Sequence, residues 1–420
     1  MKKYIELYNY FRDKIKMQQL KSGDRLPSVR NACRIFSVSK TTVQNAYFAL
    51  QADGYIIVSP KSGFYVSDIT LSENTSSNAH TERNPIIFDL KSGGADKDSF
   101  DIKLWQRYIK NALRQQERLL TYSEVQGEYD LRETLCAYIR EKRNVIASPD
   151  RIVVGAGVQC LINILCSLIK DRQTVSFPDR SFIQGISVFE DYGFEVHTRD
   201  KDAKIIYVSP SHMTNYGDVM PIKRRLELVR YSEKTGSLVI EDDYDNDFMY
   251  QTKPTPSLYA LSGGDNVVYM GSFSNVLIPG IRISFMVLPP NLAREFEKNS
   301  YKYAQTASKT EQIALCQYIR DGHINAQTRR VRRLYTAKTK EFYDEIKNQI
   351  PELDAHIGEN GLQVKIRCKF KGDIKDFERN GIGVCINKHE NSVIEMVLIP
   401  SAIDNNCIGT AVAALKKVLK

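Results

Sequence analysis

The chain has 420 residues, 42% apolar and 26% charged, with a formal net charge of +9. One compact core stops growing at roughly 250–300 residues, so two or three domains are expected, and the ordinary balance of apolar and charged residues excludes wholesale disorder. No apolar run approaches the ~18 residues of a membrane-spanning helix, and the first segment, MKKYIELYNYFRDKIK, lacks the apolar stretch of a secretory signal; a cytoplasmic protein with no membrane partner is expected.

The charge is concentrated at one end. Residues 1–68 hold 11 Lys/Arg against 5 Asp/Glu, six of the nine net positive charges. A basic terminal module on a nearly neutral body is the electrostatic footprint of nucleic-acid binding, although a solvated helical face has the same composition.

In that module, Tyr4, Leu7, Tyr8, Phe11 and Ile15 fall at helical spacing. Ser22-Gly23 ends the helix, and Pro27 can open a second one with Val29, Ala32, Cys33 and Phe36 inward. Ser39 is placed to cap a third helix from Lys40 to about Ala52, with Val43, Ala46, Tyr47 and Leu50 as its inner stripe. Two β-like runs, Tyr55–Val58 and Phe64–Val66, follow around a Ser-Pro-Lys-Ser-Gly turn. This order predicts a winged helix-turn-helix. Lys40, Thr41 and Thr42 open the third helix with cationic and hydroxyl groups suited to phosphates and base edges. Thr41 and Thr42 could instead only cap the helix; DNA contact is favoured because the basic excess and the wing occur together.

The run LKSGDRLPSVRNACRIFSVSKTTVQNAYFALQADGYI resembles the GntR-type winged-helix domain, over residues 4–68. The resemblance implies that Arg30, Ser39, Lys40, Thr41 and Thr42 face double-stranded operator DNA, with Lys61 and Gly63 near the minor groove.

Residues 69–84 are polar and rich in Ser, Thr and Asn, which predicts a flexible linker. Beyond it, helical stretches (Leu104–Leu113, Leu131–Lys142, Gln159–Ile169) alternate with apolar β runs at Ile152–Val154, Thr174–Phe177, Ile205–Val208, Ser237–Ile240, Val267–Met270 and Ile283–Leu288. Continuous apolar strands point to a mostly parallel sheet covered on both faces. From about Leu292 long helices take over, then strands near Leu362–Ile366 and Val393–Leu398 and a last helix. The expected fold is therefore multidomain: a winged helix (1–68), the linker (69–84), an α/β large domain (85–291) and a small C-terminal α+β domain (292–420). The eight cysteines are scattered without a CxxC pair or Cys/His cluster, so reduced thiols and no metal site are expected.

Six body segments, among them VVGAGVQCLINIL, VSPSHMTNYG, IEDDYDNDF and GSFSNVLIPGIRISFMVLP, are similar in order and spacing to fold-type-I aminotransferases. Joined to the winged helix, this is similar to MocR/GabR-type transcriptional regulators. The resemblance implies a pyridoxal phosphate (PLP) pocket. Val158 and Gln159, with Gly157 at a strand-to-helix turn, would meet its phosphate, as would Ser272, Ser274 and Arg282. Asp242 would pair with the pyridine nitrogen, and Tyr244 would lie near the ring hydroxyl. Glu241, Asp243, Asp245 and Asp247 form an acidic run with Asp242; Asp243, Asp245 and Asp247 fit a solvated loop best.

The departures from the family are as informative. Asn275 stands where GSFSN has its Schiff-base lysine in relatives, and a carboxamide is neither nucleophilic nor basic. No catalytic residue remains on this reading, and PLP would bind non-covalently at most. Ile394 falls where relatives carry a substrate-binding arginine, Asn215 replaces a proline, and Arg180 or Phe182 would stand in for the ring-stacking aromatic. Arg329, Arg330, Arg332 and Arg333 form a basic helical run with a fold or interface role.

Two functions follow. The first is a DNA-binding regulator whose aminotransferase-like domain forms a head-to-tail homodimer and senses an unidentified small molecule without transaminating it. The alternative is a PLP-dependent aminotransferase with a DNA-binding appendage; Asn275 argues against it.

Overall fold

A computed structural model describes residues 3–59, 62–68, 85–91, 94–169, 171, 173–213, 218–243, 256–390 and 392–419. The chain divides into two compact units, residues 1–83 and 84–420.

The first unit is the expected winged helix: α1 (Lys3–Lys16), α2 (Val29–Phe36), α3 (Lys40–Ala52) and an antiparallel hairpin, β1 (Ile56–Ser59) with β2 (Gly63–Val66). Its core forms where the apolar stripes converge. Leu7, Phe11 and Ile15 of α1 meet Ala32 of α2, Val43, Ala46, Tyr47 and Leu50 of α3, and Ile56 and Val66 of the wing. The buried Tyr47 hydroxyl donates to the Pro27 carbonyl at 2.8 Å, tying the middle of α3 to the entry of α2 and so helping to fix the angle of the helix-turn-helix.

The second unit begins with β3 (Phe88–Asp89), α4 (Ile102–Leu113), α5 (Gln116–Leu119), α6 (Tyr129–Arg143), β4 (Ile152–Gly155) and α7 (Val158–Leu168). It continues through β5 (Thr174–Phe177), α8 (Ile183–Asp191), β6 (Glu195–Thr198), β7 (Ile205–Val208), α9 (Ile222–Thr235) and β8 (Leu238–Asp242). Then come α10 (Leu258–Ser262), β9 (Val267–Ser272), β10 (Ser284–Val287), α11 (Pro290–Asn299), α12 (Lys309–Arg320) and α13 (His323–Gln349). Among the described residues the main sheet has seven strands in the order β4-β10-β9-β8-β7-β5-β6. β10 runs antiparallel to both its neighbours; β9, β8, β7, β5 and β6 are mutually parallel. The apolar runs are continuous because both faces are covered. Along β9, Val267 and Tyr269 enter one core with α4, α6 and α12, while Val268 and Met270 enter the other with α7 and α8.

The chain ends with β11 (Asp354–Ile357), β12 (Val364–Lys369), α14 (Lys375–Arg379), β13 (Ile382–Gly383), β14 (Cys385–Glu390), β15 (Val393–Leu398) and α15 (Ile408–Leu419). An antiparallel sheet, β11-β12-β15-β14, covers a third core with α13 and α15. Packing does not follow a single cut at 291/292. Leu90 sits in this third core and β3 pairs with β13, so the start of the body belongs with its end. Conversely, Ile313, Leu315 and Tyr318 of α12 lie in the core beside α4 and α6. The 27-residue α13 spans both: Ile324 and Val331 pack in one core, Phe342 and Ile346 in the other. At its middle the buried Lys338 ammonium pairs with Asp96 and donates to the Ile403 carbonyl at 2.6 Å. Among the described residues no helix is long and apolar enough to cross a membrane, and no group of three or more His, Cys, Asp or Glu could hold a metal ion.

Candidate functional site

The first candidate surface is the N-terminal end of α3. Ser39 caps that helix, accepting from the Thr42 N–H at 3.2 Å, and its hydroxyl also lies 2.8 Å from that of Thr42. Both hydroxyls thus take part in the helix end, and Ser39, Lys40 and Thr41 are exposed, as is Arg30 on α2. The two possibilities open for the threonines separate here: Thr42 helps to cap, Thr41 faces solvent. Lys61 lies outside the described residues. Gly63 opens β2 at φ +127°, where a side chain would be strained, and a Cβ there would meet Arg25 Nε at 3.3 Å. Arg25 went unnoticed in the sequence. Its guanidinium donates to the Ser62 carbonyl and lies over the Tyr65 ring, 5.9 Å from the centroid, bracing the wing.

The second site is a cavity of about 560 Å³ at the carboxyl ends of β5, β7, β8 and β9, where open α/β sheets take ligands. Val158, Gln159, Asp242, Ser272, Ser274, Asn275 and Arg282 all line it. Tyr244, Asp245, Asp247 and Asn215 lie outside the described residues.

One end of the cavity gathers groups that could hold an anion. Gly157, at φ +107°, leads into α7 with no side-chain cap, so the first N–H groups of an 11-residue helix face the cavity with the positive end of its dipole. A Cβ at Gly157 would fall 2.3 Å from Arg282 Nη2, which itself reaches the Ala156 carbonyl at 3.4 Å. Arg282 adopts φ +51°, a left-handed conformation that costs a non-glycine residue energy and that clusters at ligand sites. Beside it runs a chain of hydroxyls, Ser284 to Ser272 at 3.0 Å and Ser272 to Ser274 at 3.2 Å.

The other end carries rings and a carboxylate. Asp242 closes β8, and the Tyr207 hydroxyl donates to its Oδ2. Tyr207 is stacked on Phe177 (centroids 4.8 Å, 24°) and tilted against Phe182 at 5.6 Å. Phe182 rests on Gly185, where a Cβ would fall 2.1 Å from its ring. Between the two candidates for the ring-stacking place, Phe182 lines the cavity and Arg180 is not among its lining residues. Ile394 is fully buried in the third core. Phe177, Asp179, Tyr207, Ser209, His212 and Ser284 also line the cavity and were missed; the signal for most of them was an apolar strand ending in a polar residue, as in VSFPD and YVSPSH.

The acidic run is not a solvated loop where it is described. Asp243 is buried, accepting from Arg143 at 2.6 Å, the Tyr269 hydroxyl at 2.8 Å and the Ser211 hydroxyl at 3.0 Å. Glu241 is fully buried and accepts the Leu258 and Tyr259 N–H groups, each at 2.9 Å, at the start of α10. Burial, with the nearby Asp243 charge, pushes the Glu241 carboxyl up to about 7. A strand ending in alternating carboxylates sends Glu241 and Asp243 to the buried side and Asp242 to the cavity.

Comparison with known proteins agrees with this division. Residues 3–66 match the family described as "Bacterial regulatory proteins, gntR family", and residues 85–369 match "Aminotransferase class I and II". The uncharacterized HTH-type transcriptional regulator YdeL of Bacillus subtilis is 31% identical over 383 residues, covering 86% of this chain and 83% of its own. The probable rhizopine catabolism regulatory protein MocR of Rhizobium meliloti is 27% identical (88% and 82% covered), and the pyridoxine biosynthesis transcriptional regulator PdxR of Corynebacterium glutamicum 26% (84% and 81%). Among solved structures, an archaeal alanine:glyoxylate aminotransferase superposes with TM-score 0.71 at 21% identity over 79% of this chain and 90% of its own. LysN, an α-aminoadipate aminotransferase from Thermus thermophilus, gives 0.68 at 20% identity over 80% and 93%. At these identities the likeness of the solved structures is one of fold. The chain belongs to the MocR-like HTH-type transcriptional regulators, in which a GntR-type winged helix is joined to an aminotransferase class I and II domain.

Proposed function

We propose that this regulator binds operator DNA through α3 and the wing, and that its aminotransferase-like unit dimerises and senses a pyridoxyl phosphate or a related phosphorylated ligand without transaminating it. The observation that carries this reading is one cavity holding an anion cup, the Asp179 and Asp242 carboxylates and Asn275, with no lysine among its described lining residues.

The fit to PLP divides by function. Phosphate holding is supported by the α7 N-terminus, by Arg282, which only a glycine at 157 admits, and by the Ser272, Ser274 and Ser284 hydroxyls. Asp242 would hold a protonated pyridine nitrogen, with Tyr207 holding Asp242, and Phe182 would cover the ring. When bound, PLP supplies an electron-withdrawing ring and an aldehyde. Covalent capture of that aldehyde needs an amine, and Asn275 offers an amide instead. Its residues can therefore bind and orient the ligand, but Asn275 can move no proton.

As a switch, the unit would act through differential affinity: a ligand shifts the equilibrium between two arrangements only as far as it prefers one of them. We place Arg30, Lys40 and Thr41 on DNA, with Ser39 and Thr42 holding the helix end against it and Lys61 and Gly63 at the minor groove. The homodimer is proposed to be head-to-tail.

Incubation with PLP, borohydride reduction and peptide mass spectrometry test the catalytic part, alongside an amino-donor assay. No adduct in the cavity and no turnover are expected. A reducible adduct with turnover would establish the alternative, an aminotransferase carrying a DNA-binding module. Mobility-shift titration against fragments upstream of the protein's own gene, with and without ligand, tests the regulatory part.

A further inference from the structure

The described lining residues of the cavity carry more carboxylates than guanidinium groups. Of its described lining residues, Arg282 brings the one guanidinium, engaged at the α7 end through Ala156, while Asp179 and Asp242 bring two carboxylates. Asp179 is held in place by accepting from the Ser181 N–H at 2.8 Å. Asn275, three residues beyond Ser272 at the end of β9, is exposed to the cavity and neutral.

We propose that the cavity selects the amine form of the coenzyme, pyridoxamine 5′-phosphate, over the aldehyde, with Asn275 as the residue that sets the choice. The inference rests on the preceding reading of the cavity as a pyridoxyl-phosphate site. A lysine ammonium beside a ligand ammonium would repel it, and the same lysine would capture an aldehyde. An amide reverses both preferences. Its oxygen accepts from an ammonium in a charge-assisted hydrogen bond, roughly twice as strong as the neutral bond that its NH₂ can offer to an aldehyde oxygen. Among the described lining residues, where His212 and Tyr207 are the other titratable groups, two carboxylates against one guanidinium add to this, because the amine form carries one more positive charge than the aldehyde at neutral pH. The regulator would thus report nitrogen already loaded on the coenzyme.

Calorimetric titration of the full-length protein in an amine-free buffer tests this, with pyridoxamine 5′-phosphate, PLP and inorganic phosphate as probes. In the wild type the amine form is expected to bind at least about tenfold more tightly than PLP. Asn275→Lys is expected to invert the order and to give a PLP adduct at position 275 that borohydride reduces to a stable secondary amine. Asn275→Ala, which removes the amide and adds no charge, is expected to weaken the amine form about tenfold and PLP less than threefold. Equal or tighter PLP binding by the wild type, or an unchanged ratio in both variants, overturns the inference while leaving the pyridoxyl-phosphate reading standing. Binding of neither pyridoxyl compound overturns both.

Discussion

Arg143 and Asp243 lie 100 positions apart and meet at 2.6 Å, with their side chains 5% and 1% exposed. The pair joins the end of α6 to the end of β8, directly behind the carboxylate that faces the cavity, and Tyr269 and Ser211 complete it. Arg143 also neutralises a second buried acid, Glu241, whose carboxyl it draws down against the larger effect of burial.

Removing Arg143 leaves two buried carboxylates without their cation, and removing the Asp243 charge leaves Arg143 with Glu241 alone. Arg143→Leu and Asp243→Asn should each destabilise the second unit by ~3–5 kcal/mol. Urea unfolding followed by tryptophan fluorescence checks this, since the single tryptophan, Trp105, sits in the core of that unit. A loss below ~1 kcal/mol would mean that the cluster is solvated in solution.

The pH dependence has a definite sign. The Glu241 carboxyl titrates near 7 when folded against an ordinary 4.5. Between those values the folded state holds more protons than the unfolded state, so this group makes stability fall as pH rises from ~4.5 to ~7 and level off above. Glu241→Gln should remove that slope whatever its offset in stability, as seen in unfolding midpoints across the window.

At the recognition helix, capping and contact should come apart. Ser39→Ala removes the cap and should cost ~1 kcal/mol in the winged helix. Thr41→Ala and Lys40→Ala should leave its melting unchanged and weaken DNA binding, and Lys40→Ala should lower the slope of log affinity against log salt by ~1. Mobility shifts at several salt concentrations, together with melting curves, separate these effects.

In the ligand cavity, Gly157→Ala should displace the Arg282 guanidinium, since the added methyl would lie 2.3 Å from Nη2 and the backbone is at φ +107°. Phosphate-dependent thermal stabilisation should drop at least about tenfold in ligand concentration, as it should in Arg282→Ala, where one charge-assisted bond of roughly 1.5–3 kcal/mol is lost. Retained affinity in both variants would place the anion elsewhere.

Much of this molecule was legible before folding. Ser39, the inner stripe Val43, Ala46, Tyr47 and Leu50, and the bounds of α3 followed from capping and a 3.6-residue period, and β5, β7 and β15 from runs of β-branched and aromatic residues. Glu195–Thr198 and Cys385–Glu390 were missed because they are half-exposed edge strands, with polar residues in place of an apolar run.

The sequence by itself determined the periodic helices and the apolar strands, because each is set by neighbours within a few residues, and it carries the basic excess of the first module and the amide at position 275. Tertiary structure alone decided that Gly157 admits Arg282 across 125 positions, that Phe182 rather than Arg180 turns to the cavity, and that Asp243 is buried beside a cavity-facing Asp242. The physical reason is common to all three. Loops at the ends of parallel strands are brought together by sheet order, and whether a carboxylate meets water or an arginine depends on the side of the strand it occupies and on what has packed there.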